Sequence, residues 1–199
     1  MSFLLGILYV LSAFAATGYS LSCTTCSSLE STACEGPSMT CLPDNVCGST
    51  HVIATAFGVP VINQFTMSCV PRYHCNGTGS ISNSVSKIKV GVSCCHTDNC
   101  TSPIPTLPED SIELNGIVCP SCSVVGSLSC DSTDTVQCTG DENLCVSQAT
   151  EVTGNTTSRT LFLGCATRSY CDIGTISTTT SNVTVDIRIT CTNGTSGTY

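Results

Sequence analysis

The spacing of the cysteines is the feature that most restricts what this chain can fold into. The chain has 199 residues and 18 cysteines. The first eight, Cys23 to Cys94, are separated by 3, 8, 7, 6, 22, 6 and 19 positions, and the last eight, Cys119 to Cys191, by 3, 8, 8, 7, 20, 6 and 20. Subtracting the two series position by position gives offsets of 96 to 98. Agreement over seven gaps indicates an internal duplication, in which each copy is framed by its own disulfides.

The amino-terminal segment predicts secretion. Residues 1–20 carry no charged side chain and are mostly apolar over Phe3–Ala16, which is typical of a signal peptide. The small residues Gly18 and Ser20 place the cleavage before Leu21. The segment is short for a membrane anchor and lacks basic flanks, and the polar C-terminal residues lack the hydrophobic tail of a lipid-anchor signal. We expect a secreted protein with no membrane anchor and with all its cysteines in an oxidising compartment.

The repeat also predicts the domain organisation. A first domain spans residues 21–100 with ten cysteines, a linker spans 101–118, and a second domain spans 119–199 with eight cysteines. The linker contains Pro103, Pro105 and Pro108, which favour extended backbone.

Both copies are predicted to be β structure. Residues 182–191 alternate between apolar and polar side chains, and residues 87–94 do so in the matching place, which is typical of half-buried strands. Val52–Phe57 and Val61–Met67 flank Gly58-Val59-Pro60, which predicts a hairpin, and Gly154-Asn155 predicts a second turn. Helical periodicity is absent after the signal peptide.

Charge and residue chemistry exclude several functions. A net charge of −8 disfavours nucleic acids and anionic lipid surfaces. His51, His74 and His96 are the only histidines, and the sequence offers no nucleophile motif beside them, so we expect no catalytic residue and no cofactor. Two Cys-x-x-Cys pairs, which begin at Cys23 and Cys119, are interpreted as parts of disulfide frames rather than as metal or redox sites.

Two further groups of residues concern the surface. The acidic clusters Glu109-Asp110-x-x-Glu113 and Asp141-Glu142 are interpreted as solvated faces, with contact to a basic protein as the alternative. The Asn-x-Ser/Thr sequons predict N-glycosylation, and the one at Asn99 is discounted because a disulfide cysteine stands in its middle. The glycosylation candidates are Asn76, Asn155, Asn182 and Asn193.

The first copy resembles the three-finger domain shared by lymphocyte-antigen-6 proteins, the urokinase receptor and snake neurotoxins. It closes on Cys94-Cys95-His-Thr-Asp-Asn-Cys100, and the Cys-Cys-x-x-x-x-Cys pattern is specific to that family, although Thr101 stands where the family usually has Asn. The resemblance implies an all-β, disulfide-rich fold of two tandem three-finger domains. In each domain, three hairpin loops would leave a palm packed with disulfides.

The resemblance also implies the disulfide pairs, whereas spacing alone leaves about a hundred connectivities open for eight cysteines. In the first domain the implied pairs are Cys23–Cys47, Cys26–Cys34, Cys41–Cys69, Cys75–Cys94 and Cys95–Cys100. In the second domain, which lacks the last pair, they are Cys119–Cys145, Cys122–Cys130, Cys138–Cys165 and Cys171–Cys191.

Two secreted families share the duplicated frame. The starts Leu21-Ser22-Cys23-x-x-Cys26 and Leu114-Asn115-Gly116-x-x-Cys119-Pro120 resemble gamma-type phospholipase A2 inhibitors, which implies inhibition by direct complex formation. The sodefrin-precursor-like factors are similar too, which implies an extracellular signal or pheromone ligand instead. In both cases the partner is a protein, and the apolar stretch Gly58, Val59, Pro60 and Val61 is the predicted contact.

Overall fold

The computed structural model describes residues 20–180 and 182–196. The signal peptide predicted over residues 1–20 lies outside this part apart from Ser20. Within the described residues, no helix is both long enough and apolar enough to cross a membrane.

The first domain is built from strands that are rich in β-branched residues, as expected for pleated, half-buried segments. A short 3-10 turn, Arg72–His74, precedes its last two strands. The strands are β1 (Ser22–Thr24), β2 (Cys26–Ser28), β3 (Ser38–Thr40), β4 (Asn45–Ala56), β5 (Val59–Pro71), β6 (Thr78–Ser82) and β7 (Ser86–Cys95).

The second domain repeats this plan. Its one helix in the described residues, α1 (Arg168–Cys171), is a single turn and therefore too short to produce a periodic signal in the sequence. The strands are β8 (Leu114–Pro120), β9 (Cys122–Val125), β10 (Thr135–Thr139), β11 (Leu144–Thr153), β12 (Thr157–Ala166), β13 (Thr175–Thr180), β14 (Val183–Thr192) and β15 (Thr195–Ser196). Strand β8 begins inside the stretch that the sequence analysis assigned to the linker.

The duplication is visible in the sheet. Strand β4 pairs antiparallel with β5 and β7, and β11 pairs in the same way with β12 and β14. Both predicted hairpins are confirmed, with turns at Phe57-Gly58 and at residues 154–156. The all-β prediction is also confirmed, and the long hairpins are the middle fingers of the two domains.

A continuous sheet joins the two domains. Strand β6 pairs with β12 through Ile81 opposite Ala166 and Ser82 opposite Cys165, so the strand order runs β13-β14-β11-β12-β6-β7-β4-β5-β2. Ile81 and Ala166 have no exposed surface and pack with Val146 and Tyr170 in one apolar core. The main aliphatic core therefore lies at the boundary between the domains, because each domain fills its own centre largely with cysteines.

The described part of the chain contains nine disulfides. They are the same pairs that the family resemblance implies. The pairs are Cys23–Cys47, Cys26–Cys34, Cys41–Cys69, Cys75–Cys94, Cys95–Cys100, Cys119–Cys145, Cys122–Cys130, Cys138–Cys165 and Cys171–Cys191.

The segment between the domains lies along the first domain. The Ser49 hydroxyl donates to the Pro103 carbonyl oxygen at 2.8 Å, and the Ser102 hydroxyl donates to the Cys47 carbonyl oxygen at 3.2 Å. A Cβ added to Gly91 of β7 would come within 2.4 Å of the Thr106 carbonyl oxygen, so only glycine lets this segment approach the strand. The segment is packed rather than free.

The first strands of the two domains are held in place by different contacts. In the first domain, the loop that Cys95–Cys100 closes holds Ser22, since Asp98 Oδ1 accepts the Ser22 amide at 2.8 Å and the Asn99 amide donates to the Ser22 carbonyl oxygen at 2.7 Å. Val118 is the equivalent position 96 residues later. There, β15 pairs with β8 through Thr195 opposite Val118. A short strand thus occupies the place of the missing disulfide loop.

Candidate functional site

The longest hairpin ends in a tight turn with an unusual backbone. Ala56 pairs with Val59, so Phe57 and Gly58 form a two-residue turn with φ values of 51° and 76°. Because both residues lie in the left-handed region, the turn is of type I′, whose backbone twist matches that of the flanking strands. Nothing lies within 4 Å of a Cβ placed on Gly58, so this position requires glycine for its φ alone.

The tip of this hairpin is apolar and exposed. The exposed fractions are 81% for Phe57, 61% for Val59, 61% for Val61 and 45% for Ile62. We call these four residues the apolar tip. Sequence analysis predicted the stretch from Gly58 to Val61 and missed Phe57 and Ile62, although both are large apolar residues directly beside it.

The backbone at the tip leaves one edge open. Ile62 pairs with Ala54 and Pro60 pairs with Thr55, so Val61 is an extra residue in a β-bulge. Strand β2 covers the outer edge of β5 only at Phe65 to Met67. In the described structure the outer edge from Val59 to Gln64 has no neighbouring strand, and Pro60 removes one amide from it, which limits pairing with other strands.

A groove of about 800 Å³ between the domains brings the two acidic clusters together. Its lining includes Glu109 and Asp110 from the segment between the domains and Asp141 and Glu142 from the second domain. Sequence analysis placed these residues in separate clusters, and only the pairing of the domains puts them in one groove.

Glu142 corrects the interpretation of these clusters as solvated faces. Its side chain is buried, with 3% of its surface exposed. The carboxylate accepts a hydrogen bond from the Ser80 hydroxyl at 2.6 Å and another from the Ser82 hydroxyl, and Lys87 Nζ lies 3.9 Å away. Since both serines belong to β6 of the first domain, Glu142 fastens the second domain to it.

Asp110 makes a second set of contacts in the groove. Its carboxylate lies 2.5 Å from Lys89 Nζ and 3.2 Å from Lys87 Nζ. The hydrogen bond from Lys89 is the main cause that lowers the pKa of Asp110. The lysines of β7 thus neutralise part of the acidic groove, whereas the exposed carboxylates of Glu109 and Asp141 form no ion pair with other described residues.

The three histidines lie in different environments. His51 is buried, and its Nε2 lies 2.8 Å from Asn63 Oδ1. His74 contacts Tyr73 edge to face, and burial lowers its pKa, whereas His96 is exposed in the Cys95–Cys100 loop. In the two Cys-x-x-Cys motifs the cysteines bond to partners outside the motif, so their sulfurs are not available as thiolate ligands.

The four candidate glycosylation sites are exposed. Asn76 lies in a turn with a φ of 58°, and Asn155 lies at the tip of the β11–β12 hairpin. Asn182 and Asn193 border β14. The discounted Asn99 accepts a hydrogen bond from the Ser38 hydroxyl at 2.6 Å, so its side chain is already used inside the domain.

Comparison with known proteins decides the family. Residues 19–103 and 115–197 each match the u-PAR/Ly-6 domain. The chain belongs to the u-PAR/Ly-6 domain family. The chain is 28% identical over 167 residues to the phospholipase A2 inhibitor NAI of Notechis ater, a match that covers 80% of each protein. Among solved structures, mouse TEX101 matches with 16% identity and a TM-score of 0.37, covering 88% of this chain and 99% of that one.

The family match supports the general class of function. The chain is a binding protein of the u-PAR/Ly-6 domain family. Disulfides throughout both domains fit an extracellular environment, where they persist.

Proposed function

We propose that this protein is a secreted, non-enzymatic inhibitor of a secreted phospholipase A2, and that it acts by direct complex formation. The apolar tip carries the proposal, because a soluble protein rarely exposes a cluster of large apolar side chains without a partner. The similarity to the phospholipase A2 inhibitor NAI supports the class of target.

The tip is suited to act as an anchor. Burying a valine or phenylalanine side chain stabilises a complex by about 1.5–3 kcal/mol, and a few such residues dominate most interfaces. The long β4–β5 ladder and the Cys41–Cys69 disulfide at its base hold the tip in place, so little freedom is lost on binding. The second middle finger carries the sequon at Asn155, and a glycan there would shield its tip.

The test is an inhibition and binding assay of the purified mature protein against a panel of secreted phospholipases. Val59→Asp and Val61→Asp place a charge in the tip, whereas Ile112→Asp places one at an apolar residue that is 93% exposed in the segment between the domains. We expect both tip variants to weaken binding at least tenfold, about 1.4 kcal/mol, and the control variant to bind like the parent.

Three results would contradict the proposal. Hydrolysis of phospholipid by the protein itself would show that it is an enzyme. A folded parent that neither binds nor slows any enzyme of the panel at micromolar concentration would favour the extracellular signal or pheromone ligand instead. Equal binding by the parent and both tip variants would leave inhibition in place and refute the tip as the contact surface.

A further inference from the structure

A second cavity lies where the two domains meet, and two of its lining residues, Val90 and Ile173, also pack against the shared core residues. It has a volume of about 370 Å³ and is formed by both domains. The first domain contributes Val70 of β5 with Val90 and Val92 of β7, and the second contributes Ile173 and Ile176. Pockets that have mainly apolar walls and lie at a boundary between domains are typical of small-molecule binding sites.

The cavity depends on close contact between the domains. A Cβ added to Gly79 would lie 2.9 Å from the Tyr170 amide nitrogen, so glycine is needed where β6 meets α1. The Thr167 amide donates to the Ser80 carbonyl oxygen at 3.0 Å, and the Ser80 amide donates to Thr167 Oγ1 at 3.0 Å. These contacts fix the two walls relative to each other, so the cavity is preformed rather than created by a ligand.

The polar groups at the cavity favour one kind of ligand. Asp172 lies in its lining and is exposed, and its carboxylate makes no hydrogen bond or ion pair with other described residues, although its backbone amide donates to the Arg168 carbonyl oxygen. None of the described lining residues is a lysine or arginine. His74 also lines the cavity, and burial lowers its pKa, so its ring is neutral at pH 7. A carboxylate such as Asp172 attracts hydrogen-bond donors and repels anions.

The volume limits the size of the ligand. An engineered apolar cavity of about 150 Å³ holds benzene, which has six non-hydrogen atoms. By proportion, a cavity of about 370 Å³ accepts roughly 15 such atoms. This excludes a peptide segment or a complete phospholipid and fits a compact organic molecule.

We propose that this cavity binds a small apolar molecule that carries a hydrogen-bond donor, with the apolar body between the valines and isoleucines and the donor at Asp172. The site is separate from the apolar tip, so the proposal holds whether or not the protein inhibits a phospholipase. It gives the boundary between the domains a role in binding in addition to its role in packing.

Two fluorescent probes test the proposal on the full-length mature protein with its disulfides intact. 1-Naphthylamine is uncharged at neutral pH, carries an amino group as hydrogen-bond donor and is small enough for the cavity, and 5-aminonaphthalene-1-sulfonate is the same molecule with an added sulfonate. We expect the uncharged probe to bind one site with a Kd in the micromolar range and the sulfonate to bind at least tenfold more weakly. Asp172→Asn is expected to reduce the ratio of the two probes' dissociation constants by up to about fivefold.

Variants locate the bound probe. Ile176→Trp and Val92→Phe enlarge a wall residue from each domain, and neither Ile176 nor Val92 belongs to the shared apolar core. Each variant is expected to bind the uncharged probe at least tenfold more weakly than the parent does. Val61→Asp, which changes the apolar tip, is the control and is expected to leave probe binding unchanged. Far-ultraviolet circular dichroism and thiol titration show that each variant is folded with its disulfides formed.

Several results would overturn the proposal. Equal binding of the two probes would show that charge at Asp172 does not select the ligand. Unchanged binding in both folded wall variants, or an equal loss in Val61→Asp, would place the probe elsewhere. If the uncharged probe does not bind at concentrations up to about 100 μM, which is roughly 100 times the expected Kd, a preformed apolar site is refuted.

Discussion

Replacing Glu142 should separate the contribution of the domain boundary from that of the disulfides. Glu142→Ala leaves the hydroxyls of Ser80 and Ser82 without their acceptor and Lys87 without a buried counter-charge. A hydrogen bond to a charged group contributes about 1.5–3 kcal/mol, and removing one partner of a buried pair costs about 3–5 kcal/mol. These two estimates describe the same contacts and are not added together, so we expect the free energy of unfolding to fall by about 3–5 kcal/mol in total.

Urea denaturation of the unreduced protein at pH 7, followed by circular dichroism, measures this loss. Asp141→Ala is the matched control, because Asp141 is adjacent to Glu142, acidic and exposed, and it should change the free energy of unfolding by less than about 0.5 kcal/mol. Adding Ser80→Ala to Glu142→Ala should cost less than Ser80→Ala alone, because the acceptor is already gone. Equal stability of the Glu142 and Asp141 variants would refute the conclusion that this carboxylate fastens the domains.

Two further predictions concern the same boundary. Burial raises the pKa of Tyr170 to about 12, so its contribution to stability is complete below the unfolded pKa of about 10 and is lost as the pH rises toward 12. This should cost about 2–3 kcal/mol between those pH values in urea titrations, and an equal loss in Tyr170→Phe would contradict the assignment. A Cβ on Gly164 would meet the Ser82 carbonyl oxygen at 2.0 Å, so Gly164→Ala should destabilise the protein by about 2 kcal/mol or more and speed amide exchange in β6. Gly154→Ala, where the nearest atom is 3.3 Å away, is its control, and similar exchange rates in the two variants would refute the close approach.

The features that the sequence predicted well depend on local or repeated signals. The alternation in residues 182–191 places Val185, Ile187 and Ile189 on the more buried face of β14, because side chains in a strand alternate between faces whatever else surrounds it. The β4–β5 hairpin was predicted from its glycine and its flanking β-branched residues, although the turn lies at Phe57-Gly58 and Pro60 is already in the strand.

The boundary between the domains could not be predicted in this way. Strand β6 has the sequence Thr-Gly-Ser-Ile-Ser, with one large apolar residue, and nothing local marks Ile81 as fully buried. Glu142 was interpreted as solvated for the same reason, since the two serine hydroxyls that donate hydrogen bonds to its carboxylate are about 60 positions earlier in the chain. Gly91 carried no signal either, because its role depends on where Thr106 crosses the strand.

The glycines at the domain boundary have a consequence for how such a protein can change over evolutionary time. Gly79 and Gly164 belong to different copies of an ancestral duplication, yet each is restricted by backbone atoms of the other copy. A larger residue on either side requires a compensating shift in the opposite copy, so neither copy can diverge freely or be exchanged for a related domain. The fingertips lie away from this constraint. Selection can therefore change the residues that meet a partner while it keeps the two copies together as one inherited unit.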